Sequence, residues 1–411
     1  MWTGLLDQML DHIIQTGDLR VTMPGGGKHR YGDGTGPRIE VTFHDPSLPR
    51  RMVRNPDLAL GEGYMDGSVT IEGDDLYGLL SLAITNIARQ RKAILWQRPL
   101  VAMRRALRRV EQNNPVGRSR VNVAHHYDLS SELYDLFLDE DRQYSCAYFR
   151  RPSDTLEQAQ SNKKRHIASK LLIQPGMSVL DIGCGWGGMA LTLARDYGAR
   201  VTGVTLSREQ HAMATRRAAD TGLADQVEFR LMDYRHVTER FDRIVSVGMF
   251  EHVGAPHFLE YFRHVRERLA PDGVALVHTI GRADPPGFTS PWITKYIFPG
   301  GYVPAMSETM AAVEKARLFT TDIEVWRLHY ADTLKLWHDR FMANIDKARA
   351  LYDDRFCRMW RYYLIASELT FRLNRQVVFQ FQLSRKQETV PLTRDYLYRS
   401  GDMSEMRHAA E

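Results

Sequence analysis

Val179-Leu180-Asp181-Ile182-Gly183-Cys184-Gly185-Trp186-Gly187-Gly188 is an apolar run that ends in an acid and then alternates glycine with other residues. Met189-Ala190-Leu191-Thr192-Leu193-Ala194 follows with helical character. The pattern reads as strand, tight turn and helix start, the device by which an open parallel sheet brings its backbone close to a nucleotide-like ligand. Glycine lets such a turn reach positive φ and keeps side chains out of the ligand's path. The G-x-G-x-G spacing departs from the G-x-G-x-x-G of dinucleotide binders, and no Lys-Ser/Thr follows as in a phosphate loop. The ligand therefore need not carry a pyrophosphate, and the turn alone names no cofactor.

Working outward, strand and helix alternate from about residue 160. Strands are expected at 178–182, 200–205, 227–231, 242–247 and 273–280, with helices at 187–197, 207–221 and 256–270. That alternation predicts a mostly parallel, doubly wound sheet with right-handed crossovers. Val377, Phe379, Phe381 and Leu383 alternate and suggest a late edge strand. A Pro/Gly-rich insertion, 281–305, follows the fifth strand, and long helices are expected over 330–375.

The first 115 residues read as a separate small α/β module. Leu5, Leu6, Met9, Leu10, Ile13 and Ile14 mark an opening amphipathic helix. Short strands are expected at 39–43 and 68–72, a turn around Gly61–Gly67, and a flexible loop at Gly25-Gly26-Gly27-Lys28. A polar linker, Glu111–Arg118, closes the module, giving domains 1–115 and 116–411.

A chain of 411 residues with 43% hydrophobic and 26% charged residues has the composition of an ordinary soluble globular protein. No apolar run is long enough for a bilayer span. Acids occupy the N-terminus where a signal peptide would be basic, so export is not expected. Cys146, Cys184 and Cys357 have no metal-ligand spacing and form no even framework. A reduced cytoplasm fits them, with no metal site.

The net charge of +5 is unevenly spread. Between Arg89 and Arg120, ten Lys/Arg (Arg89, Arg91, Lys92, Arg98, Arg104, Arg105, Arg108, Arg109, Arg118, Arg120) face one acid, Glu111. Leu100, Met103, Leu107 and Val110 there share one face of a helix beginning near Pro99. Such a helix suits an anionic membrane surface. By charge alone it also suits packing on its own domain, the more ordinary reading, or contact with nucleic acid.

Further segments carry a family resemblance. They are His125-His126-Tyr127-Asp128-Leu129-Ser130, Gln143-Tyr144-Ser145-Cys146-Ala147-Tyr148-Phe149, and Val247-Gly248-Met249-Phe250-Glu251-His252-Val253-Gly254. Val277-His278-Thr279-Ile280-Gly281, Ile297-Phe298-Pro299-Gly300-Gly301 and Leu328-His329-Tyr330-Ala331-Asp332-Thr333-Leu334 complete the set. The second strand runs into Thr205-Leu206-Ser207-Arg208-Glu209-Gln210, where most methyltransferases place an acid for the ribose. Together these resemble the cyclopropane-fatty-acyl-phospholipid synthases and their relatives that modify mycolic acids, over about 120–385. The resemblance implies a Rossmann-like class I methyltransferase sheet, mostly parallel with one late antiparallel strand, beside a smaller N-terminal lipid-engaging domain. It implies an enzyme that uses S-adenosylmethionine to cyclopropanate cis double bonds in phospholipid acyl chains. It further implies a homodimer, peripheral on the inner, anionic face of the membrane, with no nucleic-acid partner.

Carried onto this chain, the resemblance sets Asp181, Gly183 and Gly185 under the methionine part of the cofactor. Thr205 and Gln210 are expected at the ribose, Asp233 or Tyr234 at the adenine, and Tyr144 and Ser145 closing over it. The base implied is bicarbonate, held by Cys146, Glu251, His278, Tyr330 and the backbone N–H of Ile280. Tyr148, Phe149 and Tyr296 are expected to steady a cation through their faces. Each residue also has a structural reading: Glu251 as a buried hydrogen-bond acceptor, His278 as a core histidine, Cys146 as a small hydrophobe and Tyr330 as a packing aromatic. Cys184 reads as packing alone. Related chemistries, giving methyl-branched or methylene chains, and a non-catalytic lipid-binding role are the alternatives. Ser367 stands where many relatives carry cysteine, and a serine cannot serve as a thiolate.

Overall fold

The computed structural model describes residues 1–89, 112 and 130–399. The basic helix expected near Pro99, most of the 111–118 linker and the 125–129 motif lie outside the described residues. The chain packs as two compact units, one of Met1–Arg108, Phe288–Pro299 and Ala331–Gln376, the other of Arg109–Gly287, Gly300–Tyr330 and Val377–Glu411. The expected division at 115/116 is contiguous in sequence, whereas these units are interleaved. The helices over 331–376 group with the N-terminal segment.

In the first unit the opening helix, Trp2–Ile13, buries Leu6, Met9 and Leu10, while Leu5 is exposed. Strands β1 (Asp18–Thr22), β2 (Lys28–Tyr31), β3 (Arg38–Phe43) and β4 (Val69–Ile71) form a sheet ordered β2-β1-β3-β4. The first two strands were not anticipated. The glycine loop is the tight connection between them, closed by Met23 N–H donating to Gly27 O at 2.7 Å. The turn expected around Gly61–Gly67 is instead a helix, Pro56–Asp66, that stops at Gly67 with φ +74°. Glycine is there for close packing: a Cβ on Gly61 would strike the Trp292 ring.

The second unit holds a seven-stranded sheet among the described residues, ordered β10-β11-β9-β8-β5-β6-β7. Its strands are β5 (Ser178–Ile182), β6 (Arg200–Thr205), β7 (Val227–Leu231), β8 (Phe241–Val247), β9 (Leu269–Arg282), β10 (Phe319–Trp326) and β11 (Gln376–Ser384). β5 pairs in parallel with β6 and β8, β6 with β7, and β8 with β9, while β10 and β11 are antiparallel. The alternating run at 377–383 is therefore not an edge. β11 is covered by β10, and residues 377–384 are buried on both faces.

Along β5, Val179 packs into one apolar layer with Met189, Leu193 and Ile167, while Leu180 and Ile182 enter the other with Phe250, Phe262 and Val265. Burying side chains of this size contributes about 1.5–3 kcal/mol each relative to exposure. β5 thus becomes a rigid central strand with β6 and β8 parallel on either side, and the strand order reverses there. Ligands bind at the carboxyl ends of strands at such a switch point. Among the described residues no helix is long and apolar enough to cross a membrane.

Candidate active site

A cleft of about 1260 Å³, partly open to solvent, lies at the carboxyl ends of β5, β6, β7 and β8. Asp181, Gly183, Gly185, Thr205, Gln210, Asp233, Tyr234, Tyr144 and Ser145 all line it. Two N–H groups, of Gly183 and Cys184, donate to Val204 O at 3.0 and 3.1 Å and pin the turn to β6. Gly183 has φ +80° and a Cβ there would come within 2.9 Å of Met249, while at Gly185, φ +55°, a Cβ would point into open space. Asp181 is buried and its Oδ2 receives no hydrogen bond among the described residues. Burial pushes its carboxyl up to about 7. An unsatisfied buried acceptor facing a cleft is a place for a cationic donor.

At the end of β6 the Thr205 hydroxyl donates to Gln210 Oε1 at 3.0 Å and accepts from Ser207 N–H at 3.2 Å. Thr205 and Gln210, expected at the ribose, thus pair with each other at the edge of the cleft. Asp233, which also lines the cleft, accepts from Arg235 through both its backbone N–H and its guanidinium, with Nε and Nη2 each at 2.8 Å. Burial alone would raise its carboxyl; these bonds outweigh burial and hold it low. Tyr234 packs edge-on against Tyr261 and His264, and Tyr144 edge-on against Tyr134.

Cys146, Glu251, His278, Ile280 and Tyr330 are not among the residues lining this cleft. Glu251 follows β8 in a short 3-10 turn, Phe250–His252, and is buried. The Ile280 N–H expected to face an anion donates to Glu251 Oε1 instead, at 2.6 Å. Oε2 is buried and receives no hydrogen bond among the described residues, the Thr279 hydroxyl donating to Ile280 O. Burial pushes the Glu251 carboxyl up to about 7, partly opposed by the Glu251 and Ile280 backbone N–H groups and the nearby Thr279 hydroxyl.

His278 sits on β9 with Nδ1 3.1 Å from Gln380 Nε2 and its ring edge-on to Trp326. Burial, followed by the fields of Lys163 and Lys170, holds it well below ordinary histidine, so the ring is neutral. Trp326 and His329 in turn pack against Tyr148. Cys146 and Tyr330 are buried as well. Each of the rings expected to steady a cation has a neighbour against it. Tyr148 stacks on His166 at 4.5 Å, Phe149 stacks on His329, and Tyr296, in the first unit, has Lys295 and Arg355 over its ring. Cys184 packs in the core layer with Val179 and Met189 and also lines the cleft, its thiol raised by burial.

Lys163 was not foreseen. It lies fully buried on the helix Leu156–Leu171, and its Nζ donates to Gln143 Oε1 and Ser145 Oγ, each at 2.7 Å. Burial pulls its ammonium down to about 8. Trp186, Met249 and His252 also line the cleft, and burial drops His252 to about 4.

Residues 116–381 match the mycolic acid cyclopropane synthetase family, and residues 5–95 match a domain family of unknown function. The chain is 38% identical to the cyclopropane-fatty-acyl-phospholipid synthase of Escherichia coli, over 86% of this chain and 89% of that one. It is 34% identical to a probable fatty acid methyltransferase of Pseudomonas putida, over 90% and 94%. Among solved structures, the cyclopropane synthase MmaA2 of Mycobacterium tuberculosis superposes with a TM-score of 0.61 at 33% identity, covering 64% of this chain and 97% of that one. The mycolic acid cyclopropane synthase CmaA1 complexed with SAH and CTAB gives 0.61 at 34%, again over 64% and 97%.

Proposed function

The chain belongs to the mycolic acid cyclopropane synthetase family, and on that premise we propose that it uses S-adenosylmethionine to close a cyclopropane ring across the cis double bond of a phospholipid acyl chain. The observation that carries this reading is the convergence of the glycine turn, Asp181, the Thr205–Gln210 pair and Ser145 on one cleft. When bound, S-adenosylmethionine supplies a methyl group made electrophilic by its sulfonium charge.

The residues fit that ligand. Gly185 leaves room for a backbone-close approach, the unpaired Asp181 Oδ2 suits an ammonium, and Thr205 with Gln210 suits ribose hydroxyls. An isolated alkene is a weak nucleophile, so the protein's contribution is alignment and exclusion of water. The methylated chain carries a cation, and loss of a proton from the new methyl closes the ring. Glu251 is the group we assign to that proton, with Oε1 anchored by Ile280 N–H and Oε2 left to accept. A bicarbonate ion held by Cys146, Glu251, His278 and Tyr330, as the family resemblance implies, would take that proton first and hand it on to Glu251. The role of Ile280 N–H in this reading is to orient Glu251.

Incubation with S-adenosylmethionine and unsaturated phospholipid vesicles, followed by lipid mass spectrometry, tests the reading. A product heavier by CH₂ with a ring-methylene resonance supports it; one heavier by CH₂ with a new exocyclic double bond means a methylene chain, one heavier by CH₂ and two further hydrogens means a reduced methyl branch, and cofactor binding without product means a non-catalytic lipid binder. Ser367 lies half-buried in the helix Asp354–Leu373, and its hydroxyl is not a nucleophile without an adjacent base. Ser367→Ala is expected to keep most activity in the same assay. A loss beyond about a hundredfold with folding intact would require a chemical role for the hydroxyl.

The reading extends to a homodimer working from the inner, anionic membrane face. Each cation near such a surface adds roughly 1 kcal/mol. Neutralising Arg104, Arg105, Arg108 and Arg109 together is therefore expected to weaken co-sedimentation with anionic vesicles and flatten its salt dependence, leaving cofactor affinity intact. Unchanged sedimentation at low and high salt would move the docking surface elsewhere.

A further inference from the structure

We propose that Lys163 and Gln160 are positioning residues that fix the segment Gln143–Ser145 and turn the Ser145 hydroxyl proton toward the carboxylate of S-adenosylmethionine. The proposal rests on the reading that this cleft binds that cofactor.

Gln160, Lys163 and Lys164 share one face of the helix Leu156–Leu171, spaced by three and four residues. All three grip the same stretch of chain. Gln160 Nε2 donates to Gln143 O at 3.1 Å and to Ser145 O at 3.0 Å, straddling Tyr144. Lys163 Nζ takes the Gln143 side chain and the Ser145 hydroxyl oxygen. Lys164 pairs with Asp141, which also accepts from Gln143 Nε2 and from Arg217. The segment's position is thus set by the helix beneath it.

An ammonium has three donors and no acceptor, so Ser145 Oγ can only accept from Lys163. The serine's own proton must then point away from the ammonium, and Ser145 is a cleft residue. The neighbouring positive charge also polarises that O–H and strengthens it as a donor. Its best partner is an anionic oxygen. Elsewhere in the same cleft, Asp181 Oδ2 offers an unpaired acceptor. A donor and an acceptor so arranged match the carboxylate and ammonium of an amino-acid end. The hydrogen bonds of the buried Lys163 ammonium go to two neutral side chains, and its charge is favoured by the nearby Asp139 and Asp141 carboxylates.

The test is calorimetric binding on the full chain with two probes, S-adenosylmethionine and its decarboxylated analogue. Lys163→Met is expected to weaken S-adenosylmethionine by about ten- to a hundredfold, the range for a hydrogen bond to a charged group. Affinity for the decarboxylated analogue is expected to stay within about threefold of wild type, since the lost contact is absent from that ligand. Ser145→Ala should give the same selective loss, which keeps the proposal testable if Lys163→Met folds poorly. Equal weakening of both probes, or no weakening of either, overturns the proposal. Failure of wild type to bind S-adenosylmethionine would instead overturn the cofactor reading itself.

Discussion

Glu251→Gln is expected to lower turnover by roughly 10²–10⁴-fold, the usual contribution of a positioned general base, while S-adenosylmethionine binding stays near wild type. The amide keeps an oxygen to accept from Ile280 N–H, so the local turn is preserved. What is lost is Oε2, the buried oxygen with no hydrogen bond among the described residues, replaced by a group that cannot accept a proton. Near-wild-type product from this variant would remove Glu251 from the proton-accepting step.

The same substitution has a pH signature in stability. The carboxyl sits at about 7 in the folded chain against an ordinary 4.5. Between those values the folded state holds a proton that the unfolded state has released, so wild-type stability falls as pH rises through that window. The amide of the variant has nothing to release. The stability of the variant relative to wild type is therefore expected to improve from pH 5 to pH 8, by up to about 3 kcal/mol. Urea midpoints at the two pH values measure it, and a difference that does not change with pH would contradict the buried, raised carboxyl.

Gly185→Leu is expected to weaken S-adenosylmethionine binding by about a hundredfold, the equivalent of roughly 3 kcal/mol of overpacking. Gly185 has φ +55°, where an L-residue is strained by roughly 1–2 kcal/mol, a load that a chain of this size tolerates. A Cβ there meets nothing within 4 Å, so the added side chain has room in the protein itself and stands in the cleft the ligand must fill. Gly183 is the wrong place for this experiment, because its Cβ would collide with Met249 and confuse folding with binding. Calorimetric titration alongside a thermal melt separates the two effects. Unchanged affinity in a folded Gly185→Leu protein would mean that the ligand does not pass over this turn.

The sheet was legible because its signals are local. The β5, β6 and β7 boundaries match the expected ranges, β5 by its apolar Val179-Leu180 run and β7 by the alternation Val227-Glu228-Phe229-Arg230-Leu231. Strand β10 escaped notice because Phe319-Thr320-Thr321-Asp322 carries polar residues in its first half and its leading phenylalanine is exposed, leaving no alternation to read. Gly61 and Gly63 looked like turn residues because glycine's two uses, positive φ and close approach, are identical in sequence. Only the packing of Trp292 against Gly61 separates them.

The cofactor cleft was legible as far as the resemblance reached. Lys163 was not, since Asn162-Lys163-Lys164-Arg165 reads as a solvated charge run, and its burial is decided by a loop some twenty residues earlier in the chain. Nor was the coupling of Ile280 N–H to Glu251, which depends on two sheet ends meeting at 2.6 Å. The one signal for Lys163 within the sequence is its spacing from Gln160 on the face that also carries Ile167 and Leu171.

The central claim is that the methyl of S-adenosylmethionine becomes a ring carbon by surrendering a proton within the site. Enzyme, unsaturated phospholipid vesicles and cofactor carrying a fully deuterated methyl group test it most directly, with the product read by mass spectrometry and by the ring-methylene resonance. The account predicts a cyclopropane that has lost one deuteron and kept the other two. A product that retains all three deuterons, or one with a new exocyclic double bond and no ring resonance, would contradict it.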